Sequence, residues 1–318
     1  MHVTRRQFGT AAMGSVAGMM ASSPSEGANR APAPATAVFP NACDCHVHII
    51  GPQAKYPMAP NRPYTPPDAT VAQLKALHAK LGIARTVLIQ PSFYGTDNSC
   101  MLEALAELGK DARAVAVVAP TISDQDLRAL DAKGVRGIRI NLESTGIRDP
   151  KGASAQLMAF DKRLAPLNWH IQIYTVLPVI TALVNTIADM KTQVVVDHFG
   201  SAMAAEGTTQ RGLSALIDLA RARKIYVKLS APYRVSKLKD YADVTPVAQT
   251  LIYAARDRML WGSDWPHTQS IAGHPPTEVT PFYKIDDPAV MRLFNSWYPD
   301  EVTRKMILVD NPAKLYRF

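Results

Sequence analysis

The run Asp44-Cys45-His46-Val47-His48 carries the first chemistry in this chain. Side chains alternate along a strand, so a strand here turns Asp44, His46 and His48 to one face and Cys43, Cys45 and Val47 to the other. The turn formers Gly51-Pro52 follow closely, which places both imidazoles at the strand's C-terminal end. There they can hold a metal ion or polarise a carbonyl. His-x-His alone is a weak signal. It gains weight from Leu260-Trp261-Gly262-Ser263-Asp264-Trp265-Pro266-His267, which delivers the Asp264 carboxylate at the end of another strand. Asp44, on the face of His46, is placed to hydrogen-bond an imidazole and set its tautomer.

Those groups need a frame that brings distant strand ends together. Apolar, β-branched runs occur at 42–48, 85–90, 114–119, 135–141, 169–174, 193–198, 225–230 and 258–263. Amphipathic helical stretches separate them, at 69–81, 98–108, 124–132, 153–164, 177–190, 212–223 and 244–255. Strict alternation of this kind predicts a single-domain (β/α)8 barrel over residues 38–318. A doubly wound sheet is the competing fold, but no Gly-x-Gly-x-x-Gly turn follows any strand. The proline-rich connection 51–68 is expected to cover the barrel mouth. Polar residues should then crowd the C-terminal strand ends, and they do. The ends carry His46 and His48, Gln90 to Ser92, Arg139 and Asn141, Gln172 and Tyr174, Asp197-His198, Ser230 to Arg234, and Asp264. Polar side chains there are costly unless used or hydrogen-bonded. Asp197, next to His198, is expected to point away from the barrel interior. His78 and His170 are expected to be core or surface residues, and His267 to orient Asp264 from behind.

Composition is that of a globular protein with ample core, 47% hydrophobic and 19% charged. The net charge of +8 is spread along the chain without a basic block, which argues against nucleic-acid binding and suits anionic substrates. Thr4-Arg5-Arg6-Gln7-Phe8, followed by a Gly/Ala/Met-rich stretch, reads as a twin-arginine export signal. Residues 1–37 are therefore expected to be signal and linker. The mature protein is expected to meet the export machinery and work in the periplasm or outside the cell. Cys43, Cys45 and Cys100 are too few for a disulfide scaffold and read as core residues.

Together these motifs resemble the amidohydrolase superfamily. Asp44 to His48, Tyr64-Thr65-Pro66-Pro67-Asp68-Ala69, Val195-Val196-Asp197-His198, Trp261 to His267 and Val309-Asp310-Asn311-Pro312 are similar to its 2-pyrone-4,6-dicarboxylate lactonase group. The resemblance spans Asn41 to the C-terminus. It implies that Asp264 is the water-activating base and that His46, His48 and His198 contact the lactone carbonyl. Tyr64, Ser92, Arg139, Tyr174 and Arg234 fall where that group holds substrate carboxylates and ring oxygens. Metal-dependent members of the superfamily add a strand-five histidine, and binuclear ones a strand-four lysine or glutamate. Here strand four ends in Arg139 and strand five in Tyr174, with His170 at the beginning of strand five. The implication is catalysis without metal or other cofactor. The alternative is one divalent ion such as zinc on His46, His48, His198 and Asp264.

The loop after strand four departs from the group. It lacks an early basic residue, and Arg148 is the candidate to replace it. The expected substrate is a small carboxylated lactone. Isomerisation of a sugar-acid lactone is one alternative, and a metal-dependent amidohydrolase or decarboxylase is another. A non-enzymatic periplasmic binding protein is disfavoured, because binding alone needs no convergence of His46, His48, His198 and Asp264. Oligomeric state is not legible.

Overall fold

The computed structural model describes Thr36 and residues 39–142 and 149–318. The expected export signal and linker, Thr36 apart, lie outside the described residues, as does Arg148. Eight strands run parallel, each paired with its successor in sequence order. They are β1 (Cys43–Val47), β2 (Arg85–Ile89), β3 (Ala112–Ala116) and β4 (Val135–Asn141), then β5 (His170–Tyr174), β6 (Gln193–Val196), β7 (Ile225–Ser230) and β8 (Met259–Gly262). The sheet curls until β8 meets β1. Val47 pairs with Trp265, the Asp264 N–H donates to the His46 carbonyl at 2.9 Å, and the His48 N–H donates to the Trp265 carbonyl at 2.9 Å. This is the expected (β/α)8 barrel.

Helices alternate with the strands, and their ends are written in local chemistry. Helix α1 (Val71–Leu81) opens on a capping box in which Thr70 and Gln73 satisfy each other's backbone N–H groups, and it closes on Gly82 at φ 70°. Helix α4 (Pro150–Leu164), which follows α2 (Ser99–Leu108) and α3 (Asp124–Ala132), is capped by the Asp149 carboxylate. The helix expected over 177–190 is broken at Leu183 into α5 (Leu177–Ala182) and α6 (Val184–Asp189). Strand β6 stops two residues early, because His198 and Phe199 take φ values of 47° and 56°, which no strand accommodates.

Two apolar layers hold the barrel. The outer one packs Leu88, Ile138, Ile171, Val196 and Val227 against the helices. The inner one contains Cys43, Cys45, Val87, Val195, Tyr226 and Leu260, with Leu315 and Tyr316 packed against it. His170 is buried at the start of β5 against the Tyr316 ring, and His78 is buried on α1, both as core residues. The three cysteines are free and buried.

The inner layer corrects the expected alternation of β1. Cys43 and Asp44 pair with Arg85 and Thr86, but Val47 pairs with Leu88, one more residue on β1 than on β2. This bulge lets His46 enter the barrel directly after Cys45, which already faces inward. Asp44 instead turns toward α1, where its Oδ2 meets His78 Nε2 at 3.3 Å. Its Oδ1 accepts the backbone N–H groups of His46 and Ser263, at 3.1 and 2.9 Å. Asp44 thus ties β1 to β8 and touches no imidazole of the barrel interior.

The proline-rich loop reaches the mouth as expected. Thr65 bridges to Val279, and the Thr280 N–H donates to the Thr65 carbonyl at 2.7 Å, so the loops after β1 and β8 clasp each other. The seam itself requires Gly262. A Cβ there would sit 2.8 Å from His46 Cβ and 2.9 Å from its backbone nitrogen. Gly262→Ala should destabilise the fold by about 1–3 kcal/mol, the usual cost of overpacking. A thermal midpoint equal to wild type would show that the seam does not depend on this close approach.

Candidate active site

Asp264 follows β8 in the left-handed region, with φ 65°, and is 1% exposed. Its Oδ1 is ringed by three imidazole nitrogens: His46 Nε2 at 3.5 Å, His48 Nε2 at 3.6 Å and His198 Nε2 at 3.8 Å. Its Oδ2 accepts the Tyr233 hydroxyl at 2.6 Å and Arg234 Nε at 2.8 Å. Burial pushes this carboxyl up, but the Arg234 guanidinium, followed by His198, pulls it well below the usual carboxylate range. Asp264 is therefore a buried anion with one oxygen tied down and the other facing histidines.

The same rings are held from behind. His48 Nδ1 lies 2.7 Å from the Ile89 carbonyl. A carbonyl only accepts, so Nδ1 carries a proton, and Nε2 is the nitrogen turned toward Asp264. His198 Nδ1 meets the Ser230 hydroxyl at 2.8 Å, which can donate or accept. Burial lowers His198 to about 4. Burial and then Lys228 push His46 well below the ordinary histidine value. Both rings are neutral near pH 7.

Beneath His46 lies a polar layer that the strand pattern did not reveal. Asp197 was expected to point outward, yet it is fully buried inside the barrel. Its Oδ2 accepts Arg139 Nε and Nη2 at 3.3 and 3.2 Å and Gln172 Nε2 at 3.0 Å. Asp197 keeps the inward phase of Val195, and the left-handed turn at His198 brings the following ring to the same side. Lys228, in the middle of β7, is also fully buried and donates to Gln172 Oε1 at 2.7 Å. Burial lowers its amine to about 8. The signal for Lys228 was present in Tyr226-Val227-Lys228-Leu229-Ser230, where every second residue faces inward.

Above Asp264 opens a cavity of about 210 Å³. His48, His198 and Asp264 line it together with five residues expected to hold substrate, Tyr64, Ser92, Arg139, Tyr174 and Arg234. His46 lies behind this surface with no exposure. Thr268, Ser270 and Tyr283 complete the wall and were not foreseen, because they sit on an irregular loop without periodicity. The guanidinium of Arg139 stacks 5.7 Å above the Tyr174 ring, while Arg234 also donates from Nη2 to the Thr268 carbonyl at 2.9 Å. His267 lies behind Tyr233, whose hydroxyl is 3.4 Å from its Nδ1, and its Nε2 meets Asp287 at 3.2 Å.

Three of the four groups named for a divalent ion converge: His46, His48 and Asp264 offer ligand atoms within 4.8 Å of one another, whereas His198 groups with His46 and Asp197. His48 fits such a role, since its proton is on the far nitrogen. His198 fits if Ser230 accepts. His46 fits only in the tautomer with its proton on Nδ1.

Comparison with known proteins agrees with this geometry. The amidohydrolase family profile matches residues 43–318. A 2-pyrone-4,6-dicarboxylate hydrolase from Comamonas testosteroni is 35% identical over 86% of this chain and 90% of its own. A 4-sulfomuconolactone hydrolase from Rhizobium radiobacter is 34% identical over 92% and 96%. A crystal structure of a probable 2-pyrone-4,6-dicarboxylic acid hydrolase from Acinetobacter baumannii, with citric acid bound, superposes with a TM-score of 0.75. That match is 25% identical and covers 88% of this chain and all of the other. Barrel, strand-end motifs and relatives agree, and the chain belongs to the amidohydrolase family.

Proposed function

We propose that this protein hydrolyses a small lactone bearing acid groups. The observation that carries the reading is the buried Asp264 anion, its Oδ1 ringed by three imidazoles beneath a cavity flanked by Arg139 and Arg234. The relatives named as lactone hydrolases support it. A cavity of about 210 Å³ is below the roughly 300–1,000 Å³ of drug-sized sites and suits one small ring with its substituents.

In this mechanism Asp264 Oδ1 takes a proton from water as the water oxygen attacks the lactone carbonyl carbon. His48, protonated on Nδ1, accepts the water's second hydrogen at Nε2 and so aims the nucleophile. Negative charge builds on the carbonyl oxygen, where His198 donates from Nε2, while His46, behind the cavity wall, presents its Nε2 to Asp264 Oδ1 at 3.5 Å. Collapse of the tetrahedral intermediate breaks the bond to the ring oxygen, which receives the proton held by Asp264. Arg139 and Arg234, fixed by Asp197 and Asp264, present flat donors to the substrate's acid groups, with Tyr64, Ser92 and Tyr174 around the ring. A divalent ion on His46, His48, His198 and Asp264 would supply Lewis-acid polarisation of the same carbonyl. We favour the metal-free route, because Arg139 and Arg234 add fixed positive charge beside the site. Export through the twin-arginine pattern of Arg5-Arg6 is part of the same reading and would place turnover outside the cytoplasm.

Asp264→Asn should lower kcat by about 10²–10⁴, the range for loss of a general base. The assay is hydrolysis of a panel of lactone mono- and dicarboxylates by chelator-treated protein of known metal content. Loss of activity on chelation, with recovery on adding zinc, would replace the metal-free route by the ion-assisted one. Ring-shifted product without open acid would point to isomerisation instead. The pH profile gives an independent check. The base works only when ionised, so activity is lost as pH falls through the folded-state pKa of Asp264. That value is held down by Arg234, so wild type should keep its activity through the ordinary carboxylate range. Arg234→Gln removes the largest lowering charge and should move the acid limb upward. An unmoved limb would mean that another group sets it.

A further inference from the structure

The proposed chemistry asks His46 to donate from Nε2, where Asp264 Oδ1 lies 3.5 Å away without hydrogen-bonding geometry, so that end of the ring alone does not set the proton. The opposite nitrogen is decisive. His46 Nδ1 lies 3.3 Å from Lys228 Nζ, in hydrogen-bonding geometry. It also lies 3.4 Å from Asp197 Oδ1, but this oxygen has no hydrogen-bond partner among the described residues, so the approach is off the donor's line. An ammonium can only donate. If Lys228 holds Nδ1, that nitrogen presents its lone pair and the ring proton sits on Nε2.

The surroundings of Lys228 fit this assignment. An ammonium carries three N–H groups, and three acceptors face it: Gln172 Oε1 at 2.7 Å, His46 Nδ1 at 3.3 Å and Asp197 Oδ1 at 3.6 Å. Gln172 has its own orientation fixed, because its Nε2 donates to Asp197 Oδ2 at 3.0 Å. A reversed amide would set its NH2 against the ammonium. Asp197 Oδ2 is occupied in turn by Arg139 and Gln172. The layer below is apolar, with Cys45, Val195 and Tyr226. A buried charge there is costly to place and does nothing that a well-packed apolar residue could not do for stability.

We infer that Lys228 is a positioning residue that holds His46 with its proton on Nε2, making it a donor toward Asp264 Oδ1 and withdrawing it as a metal ligand. The effect on rate rests on the lactonase reading above, whereas the tautomer does not. His48, tied to a backbone carbonyl, has the opposite tautomer, so adjacent histidines of one motif are set to opposite tasks by what lies behind them.

The test is ¹⁵N NMR of histidine-labelled protein, with His46 assigned among the eight histidines by its loss in His46→Asn. The wild-type ring should carry a single proton, on Nε2. Lys228→Met, similar in length but without a donor, should move that proton to Nδ1, because Asp197 Oδ1, 3.4 Å away and released from Lys228, can then turn to accept it. Lys228→Arg should leave it on Nε2. In the same Lys228→Met protein kcat should fall about 10²-fold with little change in KM, the scale of one lost donor at the reacting groups. Zinc affinity should rise by about tenfold or more, the scale on which outer partners act on metal ligands. A wild-type His46 protonated on Nδ1, or on both nitrogens, overturns the inference whether or not any variant folds. So does a proton that stays on Nε2 in Lys228→Met. If wild type turns over no lactone, the lactonase reading fails while the spectra still decide the role of Lys228.

Discussion

A carboxylate that is 1% exposed has lost its water, and the rest of the mouth of this barrel compensates for that loss. The isolated charge would be strongly disfavoured in such surroundings. Arg234 and Tyr233 satisfy one oxygen of Asp264, and three imidazoles surround the other. The compensation is uneven by design of the fold. Oδ2 is fully engaged, while Oδ1 faces the three imidazoles. One oxygen of the carboxylate is thus an anchor, and the other is the one the proposed mechanism uses.

The same logic repeats one layer deeper. Asp197 is a second buried anion, held low by His46, Lys228 and Arg139 against the raising effect of burial. The barrel therefore stacks alternating charge along its axis: Lys228 and Asp197 low, His46 between, Asp264 above, Arg139 and Arg234 at the cavity. Each guanidinium that faces the cavity is pinned by an aspartate beneath it, so it meets substrate already oriented. Pinning also offsets part of the charge each can offer, so a negative group competes for it best. Acid groups on the proposed lactone would meet that requirement.

The barrel was legible because its strands are apolar runs of regular spacing, and regular spacing is what a repeated β/α unit requires. His46, His48, His198 and Asp264 were legible because they fall at strand ends, where a barrel gathers its functional side chains. What failed was the assumption of perfect alternation. The bulge in β1 sent Asp44 to α1 and let Cys45 and His46 both face inward. The positive φ at His198 brought that ring in beside Asp197, which keeps the inward phase of Val195. Both are backbone irregularities, set by tertiary contacts that no periodicity records. Lys228 was overlooked for a different reason: a single lysine in an apolar run looks like an outward residue until the phase of the strand is counted from Tyr226 and Ser230.

The hydrogen bond from Asp264 N–H to the His46 carbonyl has a further consequence, for how the protein matures. It joins the first strand to the last, so the two halves of the reactive centre come from the most distant parts of the barrel sequence. Long-range pairings of this kind are the slow part of folding. A chain with seven strands in place would have a core, helices and most of a pocket, yet no assembled centre. Chemistry is thereby withheld from every incomplete intermediate, and catalytic competence becomes a direct readout of barrel closure.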